Sequence, residues 1–358
     1  MFNNIYPCFT WEAHAACGWE DVTKQNDSLM QKENYGKKIF VMTHASDMDG
    51  IGSAALIRMR LNVPTENIFL LNYTVPKLEY ASQQILKHAK EGITLFITDT
   101  GINSSHIMQY KKLFLELKRH GGKIFWIDHH HWEEDAIKEV ASMCDIAIVG
   151  ENKNMCAAEI TAKILGFNDA FVNELLKITH TFDFHVMNLK DKRMKRIGDI
   201  YDACFTYYGH MPTEMYTSKL RRLVGVISSK KLYDSKWVED ADRFDRINKK
   251  RIKKLLDDLY FPGKNIVLGF ATFVRTNDVS DAMMKKTGRD IAVYISTENG
   301  TGHMRSVKAN TIPIAMRFGG GGHPHATGFQ VNLKEYNNFK SKEDKEKFAK
   351  ELGSAEGS

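Results

Sequence analysis

Short apolar runs recur along the first half of the sequence, and this recurrence most limits the possible folds. Each is four or five residues long and rich in Ile, Val, Leu or Phe, and the runs are Ile39–Met42, Ile68–Leu71, Ile93–Ile97, Ile124–Ile127 and Ile146–Val149. The segments between them have helical spacing, as in the set Ile107, Tyr110, Leu113, Phe114 and Leu117. Alternating buried strands and helices predict an α/β fold with a doubly wound, mostly parallel sheet. Ligands bind such sheets at the carboxyl ends of strands.

The sequence divides into five segments. Its 358 residues and 43% hydrophobic content are enough for two domains with separate cores. A charged, helical stretch follows the strand-rich part, with a long helix predicted over Trp237–Tyr260, and strand-like runs return after Gly263. We predict an N-terminal extension at 1–37, an α/β domain at 38–190, a helical linker at 191–262, a smaller α/β domain at 263–335, and a charged tail at 336–358 that ends in the flexible sequence GSAEGS.

Charge, cysteine content and the N-terminus bear on location and partners. The net charge of +6 is a mild basic bias that suits an anionic substrate without requiring one. The five cysteines are scattered and include no C-x-x-C pair, which argues against a disulfide framework or a cysteine zinc site. The N-terminus lacks the pattern of a signal peptide, and no run has the about 18 apolar residues of a membrane span. We expect a cytoplasmic protein with no membrane partner; a homodimer is compatible with the sequence.

Acidic and histidine side chains follow two of the predicted strands. The first strand leads into a turn that contains His44, Asp47 and Asp49, and the third leads into Asp99. Clustered carboxylates repel one another unless a cation neutralises them, and carboxylates with imidazole suit Mn²⁺, Mg²⁺, Zn²⁺ or Fe²⁺. The alternative is that these aspartates cap the following helices.

The fourth strand ends in the strongest functional signal of the chain, Asp128-His129-His130-His131-Trp132. Because three imidazoles are costly to desolvate, packing alone does not explain them, and a catalytic or metal-binding role is indicated. An acidic residue beside a ligating histidine is the usual orienting partner. The three clusters follow neighbouring strands and predict one converged site.

This combination resembles the DHH phosphoesterase superfamily, whose Asp-His-His motif is similar to Asp128-His129-His130. The positions that resemble its other motifs are His44, Asp47 and Asp49 for the first, Asp99 for the second and Asp183 for the fourth. The stretch Cys156–Glu159 is similar to the helix start that follows the fifth strand. In the second domain, Gly319–Phe329 resembles the glycine-rich signature of the DHH-associated C-terminal domain, and Met304-Arg305-Ser306 resembles its substrate-binding strand.

The resemblance implies a phosphoesterase with two divalent metal ions. Mn²⁺ is the expected ion, and Mg²⁺ or another divalent ion is the alternative. The implied ligands are Asp99 as the bridge, His44 and Asp47 for one ion, and Asp49, His129 and Asp183 for the other. A hydroxide held between the ions would attack phosphorus. His130 would donate a proton or a hydrogen bond to the phosphate, and Asp128 would orient the histidine pair.

The resemblance also implies that the second domain binds the substrate. Arg305 would contact a phosphate, His323 would add a donor, and the backbone N–H groups of Gly319, Gly320, Gly321 and Gly322 would approach the phosphate because no Cβ is in the way. The alternatives are a surface salt bridge for Arg305 and a plain flexible loop for the glycines.

The substrates expected from the resemblance are short oligonucleotides, dinucleotides or nucleoside bisphosphates. A RecJ-like single-strand exonuclease, a cyclic dinucleotide phosphodiesterase and a nucleotide-sensing protein without turnover are the alternatives. The basic run Lys249–Lys254 bears on the exonuclease, because it could guide nucleic acid; such a run is also typical of a solvated helix face.

Overall fold

The computed structural model describes residues 9–10, 35–36, 38–71, 75–102, 106–130, 132, 134–149, 154–184, 191–209, 211 and 213–356. The predicted N-terminal extension at 1–37 therefore lies outside the described residues, except for residues 35–36 and the short strand β1 (Phe9–Thr10). His131 also lies outside them.

The first sheet is formed by the predicted apolar runs. Its further strands are β2 (Ile39–His44), β3 (Ile68–Leu71), β4 (Thr94–Thr98), β5 (Lys123–Ile127) and β6 (Ile146–Val149). They lie in the order β1-β6-β5-β4-β2-β3, and every neighbouring pair is parallel. The prediction of a parallel α/β sheet is confirmed, and the ends of β2, β4 and β5 lie side by side.

Helices cover both faces of this sheet. They are α1 (Met48–Leu61), α2 (Val75–Leu86), α3 (Ile107–Arg119), α4 (Glu134–Glu139), α5 (Ala157–Ile164) and α6 (Ala170–Asp183). Buried side chains of α2, α3 and α4 share one core with the strands, where Trp126 packs edge-on against Phe114. On the other face, Ile160 of α5 packs on Ile127 and Ile148, and α1 packs against α5 and α6.

Three longer helices occupy the predicted linker: α7 (Lys192–Gly209), α8 (Thr213–Ser228) and α9 (Ser235–Leu256). The chain forms two compact units, and the linker is divided between them. The first comprises Met1–Tyr201 and Met211–Val238, and the second Asp202–His210 and Glu239–Ser358. Helices α7 and α9 therefore each begin in the first unit and end in the second.

The second unit contains a smaller, mixed sheet. Its strands are β7 (Ile266–Ala271), β8 (Ile291–Ser296), β9 (Thr301–Ser306), β10 (Gly321–His323) and β11 (Ala326–Gln330), in the order β10-β11-β9-β8-β7. Only β7 and β8 pair in parallel among these strands. The accompanying helices are α10 (Thr276–Thr287), α11 (Ile312–Arg317) and α12 (Lys342–Glu356).

The C-terminal segment differs from its prediction. Where the sequence suggested a charged tail at 336–358 with a flexible end, the chain forms α12 through Glu356. Phe348 and Leu352 lie one helical turn apart and are fully buried in the core of the second unit. The charged residues between them, Lys350 and Glu351, are exposed. The segment therefore looks polar in the sequence although one face of the helix is apolar.

Within the described residues, none of the helices is both long and apolar enough to span a membrane.

Candidate metal centre

The turn between β2 and α1 places the first candidate ligands. A Cβ on Gly50 would lie 2.1 Å from the His44 carbonyl oxygen, so the tight turn requires glycine there. Asp47 caps α1, because its Oδ1 accepts hydrogen bonds from the N–H groups of Asp49 and Gly50 at 3.1 and 3.2 Å. Its other oxygen lies 2.9 Å from His44 Nδ1. Asp47 is therefore both a helix cap and a partner of the candidate histidine.

Asp49 is buried and is held by a different element. Its two carboxylate oxygens accept hydrogen bonds from the N–H groups of Ala157 and Ala158, at 2.8 and 2.7 Å. These residues form the first turn of α5, where unpaired N–H groups and the helix dipole favour an anion. The helix start that the sequence identified after the fifth strand thus fixes the orientation of Asp49.

Asp99 follows β4 and lies in the middle of the cluster. Its φ of 49° is in the left-handed region, which a non-glycine residue seldom adopts and which Asp and Asn tolerate best. The carboxylate is 1% exposed. Its oxygens lie 3.7 Å from His44 Nδ1, 3.6 Å from His129 Nε2 and 3.8 Å from His130 Nδ1. Asp99 therefore lies within 4 Å of His44, His129 and His130.

Asp128 lies beneath the histidine pair and is fully buried. Its carboxylate accepts hydrogen bonds from the His130 N–H at 3.2 Å and from the Trp132 indole at 2.7 Å, and it lies 2.8 Å from His130 Nδ1. The role of Trp132 was missed from the sequence, although a buried indole N–H generally requires an acceptor.

Asp183 enters the cluster from the last residue of α6. Its Oδ2 lies 3.6 Å from His129 Nε2, which is also 3.4 Å from Asp49 Oδ2. Three groups of possible ligand atoms result, in each of which the atoms lie within 4.8 Å of one another: His44, Asp47 and Asp99; Asp49, His129 and Asp183; Asp99, His129 and His130.

A protein-family model described as the DHH family, N-terminal domain, matches residues 38–185. The chain therefore contains an N-terminal domain of the DHH family. The matched region contains every residue of the three groups, and we refer to them together as the DHH centre.

Several solved structures share the fold of this chain. An exopolyphosphatase-related protein from Bacteroides fragilis aligns with a TM-score of 0.50 at 14% identity, over 92% of this chain and 97% of its own. A pGpG-specific phosphodiesterase, PggH from Vibrio cholerae, gives 0.50 and 14% over 88% and 99%. RecJ from Thermus thermophilus, solved in complex with Mg²⁺, gives 0.50 and 14% over 92% of this chain but only 52% of its own. At this identity the likeness concerns the fold. No curated protein sequence matches significantly.

Electrostatics make the DHH centre a proton-holding cluster in the absence of a cation. Burial and the Asp99 carboxylate raise the pKa of Asp49 well above its ordinary value. Burial also raises the pKa of Asp183 to about 6, although His129 opposes the change. Burial alone would lower the pKa of His129, but the surrounding carboxylates raise it to about 10. The buried carboxylates therefore favour positive charge within the cluster, which in the metal-free protein is supplied by bound protons.

The donor set fits divalent cations. Among the described residues, Asp99 Oδ2, His129 Nε2 and Asp183 Oδ2 are buried and lack a hydrogen-bond partner, which is costly unless something else coordinates them. Carboxylate oxygen and imidazole nitrogen are suitable ligands for Mn²⁺ or Mg²⁺. A cation would take the place of the bound protons, because ligands must be deprotonated to coordinate.

The second unit contains the residues expected to hold the substrate. Arg305 on β9 is partly buried, and its guanidinium donates to Asn277 Oδ1 at 3.2 Å and to the Met304 carbonyl at 3.0 Å. Among the described residues it has no acidic partner within 4 Å, so the salt-bridge alternative finds no support there. Beside it, His303 stacks on Tyr294 at 5.4 Å, and burial with the nearby Arg305 lowers the pKa of His303 to about 4.

The glycine run is more ordered than a plain flexible loop. The N–H groups of Gly319 and Gly320 donate to the carbonyls of Met316 and Ala315 at 3.0 and 2.9 Å and so close the end of α11. Gly319 has a φ of 69°, which suits such a C-cap. Gly321, Gly322 and His323 form β10. The N–H groups of Gly319 and Gly320 are thus paired within the protein, and β10 is itself paired with β11. The contact between the glycine run and a phosphate stays a prediction.

Proposed function

We propose that this chain is a metal-dependent phosphoesterase that hydrolyses phosphodiester or phosphomonoester bonds of short oligonucleotides, dinucleotides or nucleoside bisphosphates. The observation that carries the proposal is the convergence of three candidate ligand groups, of which two contain Asp99 and two contain His129. The names of two structural neighbours, the pGpG-specific phosphodiesterase and RecJ, support a nucleotide or nucleic-acid substrate.

Two divalent ions, most suitably Mn²⁺, would occupy the DHH centre. Asp99 would be shared between them, one ion would take His44 and Asp47, and the other would take Asp49, His129 and Asp183. Such ions, when bound, supply an activated water and stabilise the charge that develops on the phosphoryl oxygens.

His130 would act as the proton donor. Burial alone would lower the pKa of His130, but the Asp128 carboxylate raises it, so the imidazole holds its proton more strongly than a free histidine. A protonated imidazole can donate to a phosphate oxygen or to the leaving oxygen. Asp128 would keep the ring in one orientation, since it is itself fixed by Trp132.

The second unit would supply the substrate contacts. Arg305 has a guanidinium without an acidic partner among the described residues, which suits a phosphate. The backbone of Gly321 and Gly322, together with His323, would complete the contact. For Gly319 and Gly320 we propose a turn-forming role.

The test is hydrolysis, with Mn²⁺, of end-labelled RNA and DNA ladders from two to about twenty nucleotides, with Asp99→Asn as the inactive control. Activity confined to the shortest strands supports the proposal. Processive degradation of long strands would instead indicate a RecJ-like exonuclease. Turnover of cyclic dinucleotides alone would indicate that class of phosphodiesterase, and equal substrate binding by both forms without turnover would indicate a sensor.

A further inference from the structure

Helix α9 carries an unusual distribution of charge in the second unit. Its inner face is buried: Phe244, Asn248 and Leu255 are 0%, 1% and 3% exposed. Arg251 also belongs to this side, because its guanidinium donates to the carbonyls of Thr272 and Phe273. The helix is therefore fixed to its own unit by residues other than those on its outer face.

The outer face is a row of cations. Six exposed basic residues lie on it, and we call them the basic face of α9: Arg243, Arg246, Lys249, Lys250, Lys253 and Lys254. At 100° per residue they fall within an arc of about 140°, and at a rise of 1.5 Å per residue they extend over about 17 Å. The side chains thus form one continuous positive strip.

Acidic residues of α9 share this arc at the N-terminal end of the strip, where Glu239 and Asp242 lie. From Arg246 to Leu256, α9 contains no Asp or Glu. The acids that flank this stretch are paired with other cations. Asp245 lies 2.7 Å from Arg275, Asp257 lies 3.9 Å from Lys286, and Asp258 lies 2.6 Å from Lys345. Among the described residues, no carboxylate lies within 4 Å of any cation of the basic face, whereas the exposed face of α3 pairs Lys111 with Glu139 and Lys118 with Asp145.

We infer that the basic face of α9 binds the sugar-phosphate backbone of a single-stranded nucleic acid, in addition to the contacts made at the DHH centre. Unpaired lysine ammonium groups attract phosphates without reading sequence, and the gain comes from release of counterions from the strand. The choice of nucleic acid as the polyanion rests on the proposed function. The consequence is that a long strand binds more tightly than a dinucleotide by a strongly salt-dependent increment.

The experiment compares two charge-matched variants. In one, Lys249, Lys250, Lys253 and Lys254 are each replaced by Gln, which retains helix propensity. In the other, four scattered exposed lysines are replaced in the same way: Lys90, Lys112, Lys264 and Lys334. Binding of a single strand of about twenty nucleotides is measured in EDTA over a series of salt concentrations, so that no hydrolysis occurs. Hydrolysis of a dinucleotide with Mn²⁺ is measured separately.

We expect the slope of log K against log salt to lose up to about 3 in magnitude for the α9 variant, at about 0.7 per phosphate contact, and to change little for the scattered variant. Equal losses in both variants would overturn the inference, since net charge alone would then explain binding. Unchanged strand binding with lost binding to anionic lipid vesicles would also overturn it in favour of a membrane surface. If the unmodified protein hydrolysed neither the dinucleotide nor the other short substrates proposed above, the proposed function would be refuted and the binding result would stand.

Discussion

At the scale of single residues, Asp128 shows how a buried charge is held without touching a candidate metal position. Burial would raise its pKa, but His130 and the Trp132 indole lower it. The carboxylate thus remains charged in a solvent-free place. Trp132 is the one donor of the set that the family motif does not contain.

Trp132→Phe removes this N–H while it keeps the aromatic volume. We expect the unfolding free energy to fall by about 1–3 kcal/mol, because a buried carboxylate oxygen loses its partner. Activity should fall about 10–100-fold, the usual cost of an orienting partner. Denaturant titrations and phosphodiesterase assays measure the two effects. Trp237→Phe, a buried control elsewhere in the first unit, should affect stability alone; an equal loss of activity in the control would count against the orienting role.

We expect metal binding at the DHH centre to release protons. At pH 7 the pKa of about 10 leaves His129 protonated in the metal-free protein, and below about pH 6 Asp183 gains a proton as well. Since a cation must displace these protons, apparent affinity should rise with pH across this range. Calorimetric titration with Mn²⁺ in buffers of different ionisation enthalpy should give at least one proton released per protein at pH 7. A release of zero would contradict the charge assignment.

At the scale of elements, α8 supports the DHH centre from outside the region that the family model matches. The hydroxyl of Tyr216, which is 8% exposed, donates to the Ala45 carbonyl at 2.9 Å. Ala45 lies in the turn between His44 and Asp47. A helix that follows the DHH domain in sequence thus fixes the turn on which two candidate ligands lie.

Tyr216→Phe should loosen this turn without removing a ligand. We expect a loss of about 1 kcal/mol in unfolding free energy and up to about a tenfold loss in Mn²⁺ affinity. Calorimetric titration of the metal gives the readout. Tyr80→Phe, at a side chain that is 61% exposed, should leave both quantities unchanged. Unaltered metal affinity in Tyr216→Phe would mean that α8 merely packs on the domain.

The sequence is informative where the pattern is local. Apolar runs predict the strands because burial on both faces requires them, and the residues at their ends converge because parallel strands end at one edge. Contacts between distant residues are different: Tyr216 and Ala45 are separated by 171 positions, and no local pattern pairs them. Likewise, α12 reads as charged because its apolar stripe occupies only one narrow face.

At the scale of the whole molecule, α12 belongs to the core of the second unit. Phe348 packs against Phe339 at 5.7 Å and Tyr336 at 5.4 Å. Phe348→Ala should cost about 3–5 kcal/mol through the cavity it leaves, whereas the exposed Lys350→Ala should cost less than about 0.5 kcal/mol. Thermal unfolding followed with and without Mn²⁺ distinguishes the units, since metal should stabilise the DHH domain in both variants. If Phe348→Ala left the free energy of unfolding unchanged, α12 would not be part of the core.

The chain passes between the two units three times, after Tyr201, after His210 and after Val238. The first segment of the second unit, Asp202–His210, is short. Within this unit Tyr208 is hydrogen-bonded to Asp240, and Asp202 is paired with Arg275. No single break in the chain can therefore separate the units cleanly. A chimera that replaced residues 239–358 alone would therefore keep Asp202 and Tyr208 in α7 and remove Arg275 and Asp240, to which they are bonded.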